Sequence, residues 1–237
     1  MKDASFLKRA PIAHRGLHDS NQVRWENTLP AFQAAVDGGY GIELDVQLSS
    51  DGAALVFHDE KLERLTGRDG QIHELSAADA AGTQIGGTAD TIPTLPQVLE
   101  LIGGKVPVVI ELKGNLGHDA GLVAVVAKAL DGYQGEAAIM SFAHWHIRNF
   151  AAQAPGVVCG LTAEGSRSGQ MESHFSMLAH GIDFVSYNVD ELPNPFVSFV
   201  RERLAMPVIT WTVRDETQVA RTHEHADQMT FEGFCPR

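Results

Sequence analysis

The sequence predicts an α/β fold, a closed (β/α)8 TIM barrel with a small insertion after the second strand. Three observations carry the prediction. Eight short apolar runs begin near residues 11, 41, 106, 137, 157, 183, 207 and 228. Segments of helical periodicity separate them, and strict alternation of strand and helix implies a parallel sheet. The length of 237 residues suits one barrel domain spanning 1–237. An open doubly wound sheet is the competing architecture, but no Gly-x-Gly-x-x-Gly turn follows a strand.

The first strand is the run Pro11-Ile12-Ala13, which ends on His14, Arg15 and Gly16. A polar loop follows. Glu26-Asn27-Thr28-Leu29-Pro30 then reads as a helix start, with Thr28 or Asn27 as cap and proline in the first turn. Phe32, Ala35 and Val36 give helical spacing up to a Gly38-Gly39 stop. From Gly41 to Leu48 the chain reads as a strand. Glu43, Asp45 and Gln47 share one face, and Ile42, Leu44, Val46 and Leu48 the other. Asp51-Gly52 is a tight turn, and Ala53 to Phe57 returns as a hairpin partner ending on His58-Asp59.

Residues 60–93 are broken by glycines and contain one candidate helix, Ser76 to Ala81. They read as an insertion or lid with too few large apolar residues for a core of its own. Thr94 to Ile102 is the next helix. Val106 to Leu112 is an apolar run of the kind buried on both faces, with Glu111 and Lys113 at its far end. Helices are expected at 118–130, 144–152, 171–180, 195–205 and 216–225. They alternate with strands at 137–142, 157–162, 183–189, 207–213 and 228–231. No covering helix follows the last strand, so either it is missing or the first ten residues do its work.

The net charge of -12 argues against nucleic acid as a general partner. Cys159 and Cys235 form no metal-type spacing and read as reduced thiols. The first ten residues lack a signal-peptide core and no run is long enough to span a bilayer. A soluble cytoplasmic protein without stable membrane insertion is therefore expected. Oligomeric state is not legible.

In a barrel of this kind the strand C-termini form one rim, and chemistry gathers there. His14 and Arg15 end the first strand, and Glu43 and Asp45 lie on the second. His58 follows its hairpin, and Glu111 and Lys113 end the third; Trp211 lies near the end of the seventh. Glu43, Asp45 and Glu111 in one pocket would repel one another, which a hard divalent cation, Mg2+ or Ca2+, relieves. Arg15 and Lys113 suit an anion such as phosphate. His14 and His58 can exchange protons near neutral pH. Each piece alone has a bland reading: strand carboxylates as a solvated face, Trp211 as packing. The remaining histidines, His18 among them, read as structural or exposed. Joint placement points to phosphodiester cleavage.

These motifs resemble the glycerophosphodiester phosphodiesterase family. They are His14-Arg15-Gly16, Glu26-Asn27-Thr28, Glu43-Leu44-Asp45, His58-Asp59, Glu111-Leu112-Lys113 and Trp211-Thr212-Val213. The resemblance implies a barrel with an insertion after the second strand, and hydrolysis of small glycerophosphodiesters to sn-glycerol 3-phosphate and an alcohol. It implies His14 and His58 as the acid–base pair and Glu43, Asp45 and Glu111 as ligands of one divalent cation. Arg15 and Lys113 would meet the phosphate, Trp211 would line the substrate side, and Glu26 would support the site. The chain departs from the family pattern twice: Arg214 stands where many members have Asn, and Thr230-Phe231-Glu232-Gly233-Phe234-Cys235 replaces the usual Thr-Asp ending. The alternatives are a lysophospholipase D or sphingomyelinase-D-like enzyme, which needs an apolar groove, and a non-catalytic barrel that binds a phosphorylated ligand.

Overall fold

The computed structural model describes residues 1–236. The eight expected strands are all present. They are β1 (Ile12–Ala13), β2 (Gly41–Leu48), β4 (Val108–Leu112), β5 (Ala137–Ser141), β6 (Val158–Ala163), β7 (Phe184–Asn188), β8 (Val208–Val213) and β9 (Gln228–Phe231). The hairpin partner β3 (Ala54–Val56) runs antiparallel to β2. The other eight pair in parallel, and β1 pairs with both β9 and β2, which closes an eight-stranded TIM barrel. The helices between them are α1 (Leu29–Gly38), α2 (Glu63–Thr66), α3 (Ala77–Ala81), α4 (Leu95–Ile102), α5 (Leu122–Leu130), α6 (His144–Gln153), α7 (Ser168–Met177), α8 (Pro195–Glu202) and α9 (Glu216–His225).

Alternation along each strand sorts the side chains into two cores. Outward residues such as Ala13, Ile42, Leu44, Ile110, Leu161, Val185 and Phe231 pack in the large cluster that includes the helices' apolar faces. Inward residues Ile12, Val109, Ala138, Met140, Phe184 and Ile209 form a second cluster inside the barrel. Gly160 also faces in: a Cβ there would come within 2.5 Å of the Phe184 ring, so the absent side chain makes room for that ring.

Ala4, Phe6 and Leu7 join this inner cluster. The first ten residues therefore plug the barrel floor and do not replace a covering helix. The plug is tied down where the Lys2 backbone N–H donates to Asp183 Oδ1 at 2.5 Å. Beside β9, where a final helix would lie, Phe231 meets Tyr40 at 5.0 Å and Phe234 at 5.7 Å between ring centroids. The Tyr40 hydroxyl donates to the Pro236 carbonyl.

Two more expectations need correction. Residues 60–93 do bury an apolar cluster: Leu62, Leu65, Ile72, Leu75, Ala80, Ile85 and Ile92 close against Leu55, Phe57 and Trp25. Their spacing is irregular because short turns, not long helices, bring them together. Helix α5 starts at Leu122, four residues after the expected His118, because Gly117 and Gly121 adopt φ of 92° and 89°. Asp119 holds that turn by accepting from the Asn115 N–H. The expected helix at Ser76 is present, with the Ser76 hydroxyl accepting from the Asp79 N–H. Among the described residues no helix is long and apolar enough to cross a membrane, and both cysteines are free.

Candidate active site

The inward alternation that fills the barrel floor continues upward with a change of chemistry. Above Ile12 on β1 comes His14, above Val109 on β4 comes Glu111, and β2 contributes Glu43 and Asp45. Asp45 and Glu111 are direct partners in the β2–β4 register. Carboxylate oxygens of Glu43, Asp45 and Glu111 lie within 4.8 Å of one another, and all three residues are buried. Burial and the neighbouring carboxylates of Asp45 and Glu111 push the Glu43 carboxyl well above the usual range. Glu111 is also raised, by burial and Asp45, against the pull of Lys113. Burial opposes ionisation of Asp45 too, but Lys113, His58 and Arg15 hold it low. Three crowded oxygen donors whose shared charge is disfavoured fit a hard divalent cation, which would relieve that repulsion directly.

Two cations flank the carboxylates. Lys113 Nζ donates to Glu111 Oε1 at 2.7 Å and lies 3.5 Å from Asp45 Oδ1. The Arg15 backbone N–H donates to Glu43 Oε2 at 3.0 Å, and its Nη1 donates to Glu26 Oε1 at 2.7 Å. Arg15 has φ of 55°, a left-handed conformation costing roughly 1–2 kcal/mol for a residue with a Cβ. That turn aims the amide at Glu43 and carries the chain into Gly16, where a Cβ would come within 2.9 Å of the Ala31 backbone. Asn27 shares the conformation (φ 56°), donates its N–H to the Arg15 carbonyl and its Nδ2 to Asp45 Oδ2 at 2.9 Å.

The two imidazoles reach this centre from different elements. His14 Nε2 lies 3.9 Å from Glu43 Oε2 and its Nδ1 lies 2.5 Å from Glu232 Oε2. Burial lowers the His14 pKa, against the pull of Glu232. His58 stands within Coulombic reach of Asp45 and Glu111, and its Nδ1 lies 2.7 Å from Asp59 Oδ1. Gln47 Nε2 holds this loop, with the carbonyls of Phe57, His58 and Asp59 at 3.0, 3.2 and 2.8 Å. Trp211 faces the same interior from β8. It meets Phe142 edge-to-face at 5.2 Å, and its buried Nε1 has no hydrogen-bond partner.

Residues 14–233 match the Glycerophosphoryl diester phosphodiesterase family. The chain belongs to this family. It is thus a hydrolase of phosphoric diesters, a glycerophosphodiester phosphodiesterase. A glycerophosphodiester phosphodiesterase of Caldanaerobacter subterraneus is 39% identical over 167 residues, 65% of this chain and 67% of that one. One from Bacillus altitudinis is 36% identical over 62% of this chain and 63% of its own length. Among solved structures, an Oleispira antarctica phosphodiesterase in complex with the product sn-glycerol 3-phosphate superposes with a TM-score of 0.82 at 26% identity. That likeness covers 97% of this chain and 94% of the other.

Within the family frame, the structure brings the sequence-derived site residues to one end of the barrel, and it adds five that sequence reasoning missed. Asn27, read as a possible cap, is fully buried against Asp45, while Thr28 precedes α1 and donates its hydroxyl to the Trp25 carbonyl. Gln47 braces the His58 loop. Arg64 of the insertion bonds Glu26 at 2.8 and 2.9 Å and Asp59 at 2.5 and 2.9 Å. Glu232 contacts His14. His18, read as a bland histidine, has Nε2 3.8 Å from Glu232 Oε2. Glu232 had a sequence signal, since it directly follows the last strand, where the rim rule places chemistry, and so had Gln47, which alternation puts on the face of Glu43 and Asp45.

Proposed function

We propose that the chain hydrolyses glycerophosphodiesters to sn-glycerol 3-phosphate and an alcohol, by paired-histidine acid–base catalysis with one divalent cation, Mg2+ or Ca2+. The convergence of His14 and His58 on the Glu43–Asp45–Glu111 cluster supports this most strongly. The cation, when held by these carboxylates, supplies positive charge to the phosphoryl oxygens. Of the two imidazoles, one accepts the proton of the attacking oxygen and the other returns a proton to the leaving oxygen. Arg15 and Lys113 hold the phosphoryl group's negative charge, and Trp211 lines the substrate side. Glu26 supports the site by fixing Arg15 and receiving Arg64. Burial opposes its ionisation, but hydrogen bonds from Arg64 and the charge of Arg15 bring its pKa down to about 2.

Residues 60–93 act in this reading as a lid within a single barrel domain, latched through Arg64. Their large apolar side chains are turned into their own cluster, so the insertion offers little greasy surface to an acyl chain. That ranks lysophospholipase D or sphingomyelinase-D-like chemistry second. The deciding assay is glycerol 3-phosphate release from glycerophosphocholine and glycerophosphoethanolamine, before and after metal removal with EDTA. Activity should vanish and return with Mg2+ or Ca2+. Full activity after exhaustive chelation would remove the cation from the proposal, and faster turnover of lysophosphatidylcholine would reverse the ranking.

A further inference from the structure

The two departures from the family pattern, Arg214 and the ending that contains Glu232, are bonded to each other. Arg214 Nε donates to Glu232 Oε1 at 2.7 Å, and the other carboxylate oxygen lies 2.5 Å from His14 Nδ1. Backbone contacts fix the frame. The Glu232 N–H donates to the Val213 carbonyl at 3.1 Å, and the His14 N–H donates to the Phe231 carbonyl at 2.9 Å. On the other side the Arg214 N–H donates to Gln218 Oε1 at 2.7 Å. Three strand ends, β8, β9 and β1, thus hold one carboxylate between a guanidinium and an imidazole.

We propose that Glu232, clamped by Arg214, is a positioning residue that fixes His14 as the Nδ1–H tautomer and presents its Nε2 toward the carboxylate cluster. An ionised carboxylate can only accept, so a contact of this length requires the proton on Nδ1. The lone pair of neutral His14 then lies on Nε2, the nitrogen 3.9 Å from Glu43. Glu232 does not exchange a proton with substrate. Its effect is to remove the wrong tautomer and ring flip, the orienting role a carboxylate plays behind a catalytic histidine. With Arg214 on one carboxylate oxygen and His14 on the other, both oxygens of Glu232 are occupied, which opposes its swinging to solvent. His18 Nε2, 3.8 Å away, borders the same oxygen that meets His14.

The inference rests on the role proposed for His14, so the test has one arm that needs no activity. Long-range 15N–1H correlation on the full chain at pH 8, with His14 assigned by its absence in His14→Gln, should show the proton on Nδ1. Glu232→Ala should mix the two tautomers, and Glu232→Asp should restore the first in part. In glycerophosphocholine hydrolysis, Glu232→Ala should lower kcat on the order of 10- to 100-fold with KM little changed. Glu232→Asp should recover part of that loss, and Arg214→Ala should cost no more than about fivefold. A proton on Nε2 of wild-type His14, or a folded Glu232→Ala retaining most of its kcat, would overturn the proposal. Should Glu232→Ala fail to fold, the wild-type tautomer and the Asp variant still decide it. A wild-type chain that releases no glycerol 3-phosphate would sink the proposed function and leave the tautomer arm standing.

Discussion

The two histidines of the site are held in opposite ways. His14 is 13% exposed, grows from a strand, and leans on Glu232 at the end of another strand. His58 is 29% exposed and sits on the loop after β3, and its support runs outward through Asp59 and Arg64 to Glu26 and back to Arg15. One imidazole belongs to the barrel's rigid seam. The other depends on a chain of ion pairs whose central member, Arg64, comes from the insertion. The barrel can therefore be complete while the His58 arm is not, and a substrate-dependent step is more readily built into the second arm than the first.

The largest expected effect tests whether the arms work as a unit. His14→Ala and His58→Ala should each lower kcat by about 10²- to 10⁴-fold with circular dichroism unchanged. The double variant should be scarcely worse than either single one, because half of an acid–base pair has little to do. Additive losses would mean that the two groups act in separate steps.

Next comes the acid limit of the His58 arm. Glu26 has a pKa of about 2 in the folded chain against an ordinary 4.5. Its folded pKa is depressed, so its stabilisation is fully present above about 4.5 and is lost as pH falls toward about 2. Urea melts should show Glu26→Gln costing up to roughly 3 kcal/mol at pH 6 and markedly less at pH 3. An equal cost at both pH values would show that the loss is not one of charge.

Arg64→Ala should break the outer arm alone. A kcat loss of about tenfold is expected, near the lower end of the range for a hydrogen-bonded charged group. Faster amide exchange across residues 60–93 should accompany it, with the His14 tautomer untouched. A shifted His14 resonance would show that the arms are coupled through Arg15. The smallest effect belongs to Arg221→Ala. This residue's ion pair with the exposed Asp190 lies outside both arms, so stability should change by less than about 1 kcal/mol and kcat should not change.

The contrast also explains what the sequence could say. Strands such as Val108–Leu112 and the Glu43–Asp45 alternation are local patterns, and residue periodicity reports them directly. Glu232 and His14 are 218 residues apart, and nothing short of the closed barrel makes them neighbours. Asn27 misled for a different reason: the amide that favours helix caps is equally suited to bond a buried carboxylate, and residue type alone does not separate the two. The insertion's cluster was missed because Leu62, Ile72, Ile85 and Ile92 follow neither a helical nor a strand period. The floor plug rests on Phe6 and Leu7, too few residues to announce a role.

The pairing of β1 with β9 ties closure of the barrel to the placing of its first histidine. Two segments far apart in sequence supply the two sides of one hydrogen bond, His14 N–H to the Phe231 carbonyl, and the imidazole after β1 meets the carboxylate after β9. Glu43, Asp45 and Glu111 need only β2 and β4 to be neighbours, whereas His14 meets Glu232 only across the closed seam. The bonds that close the barrel at this seam are the same bonds that set the imidazole of His14.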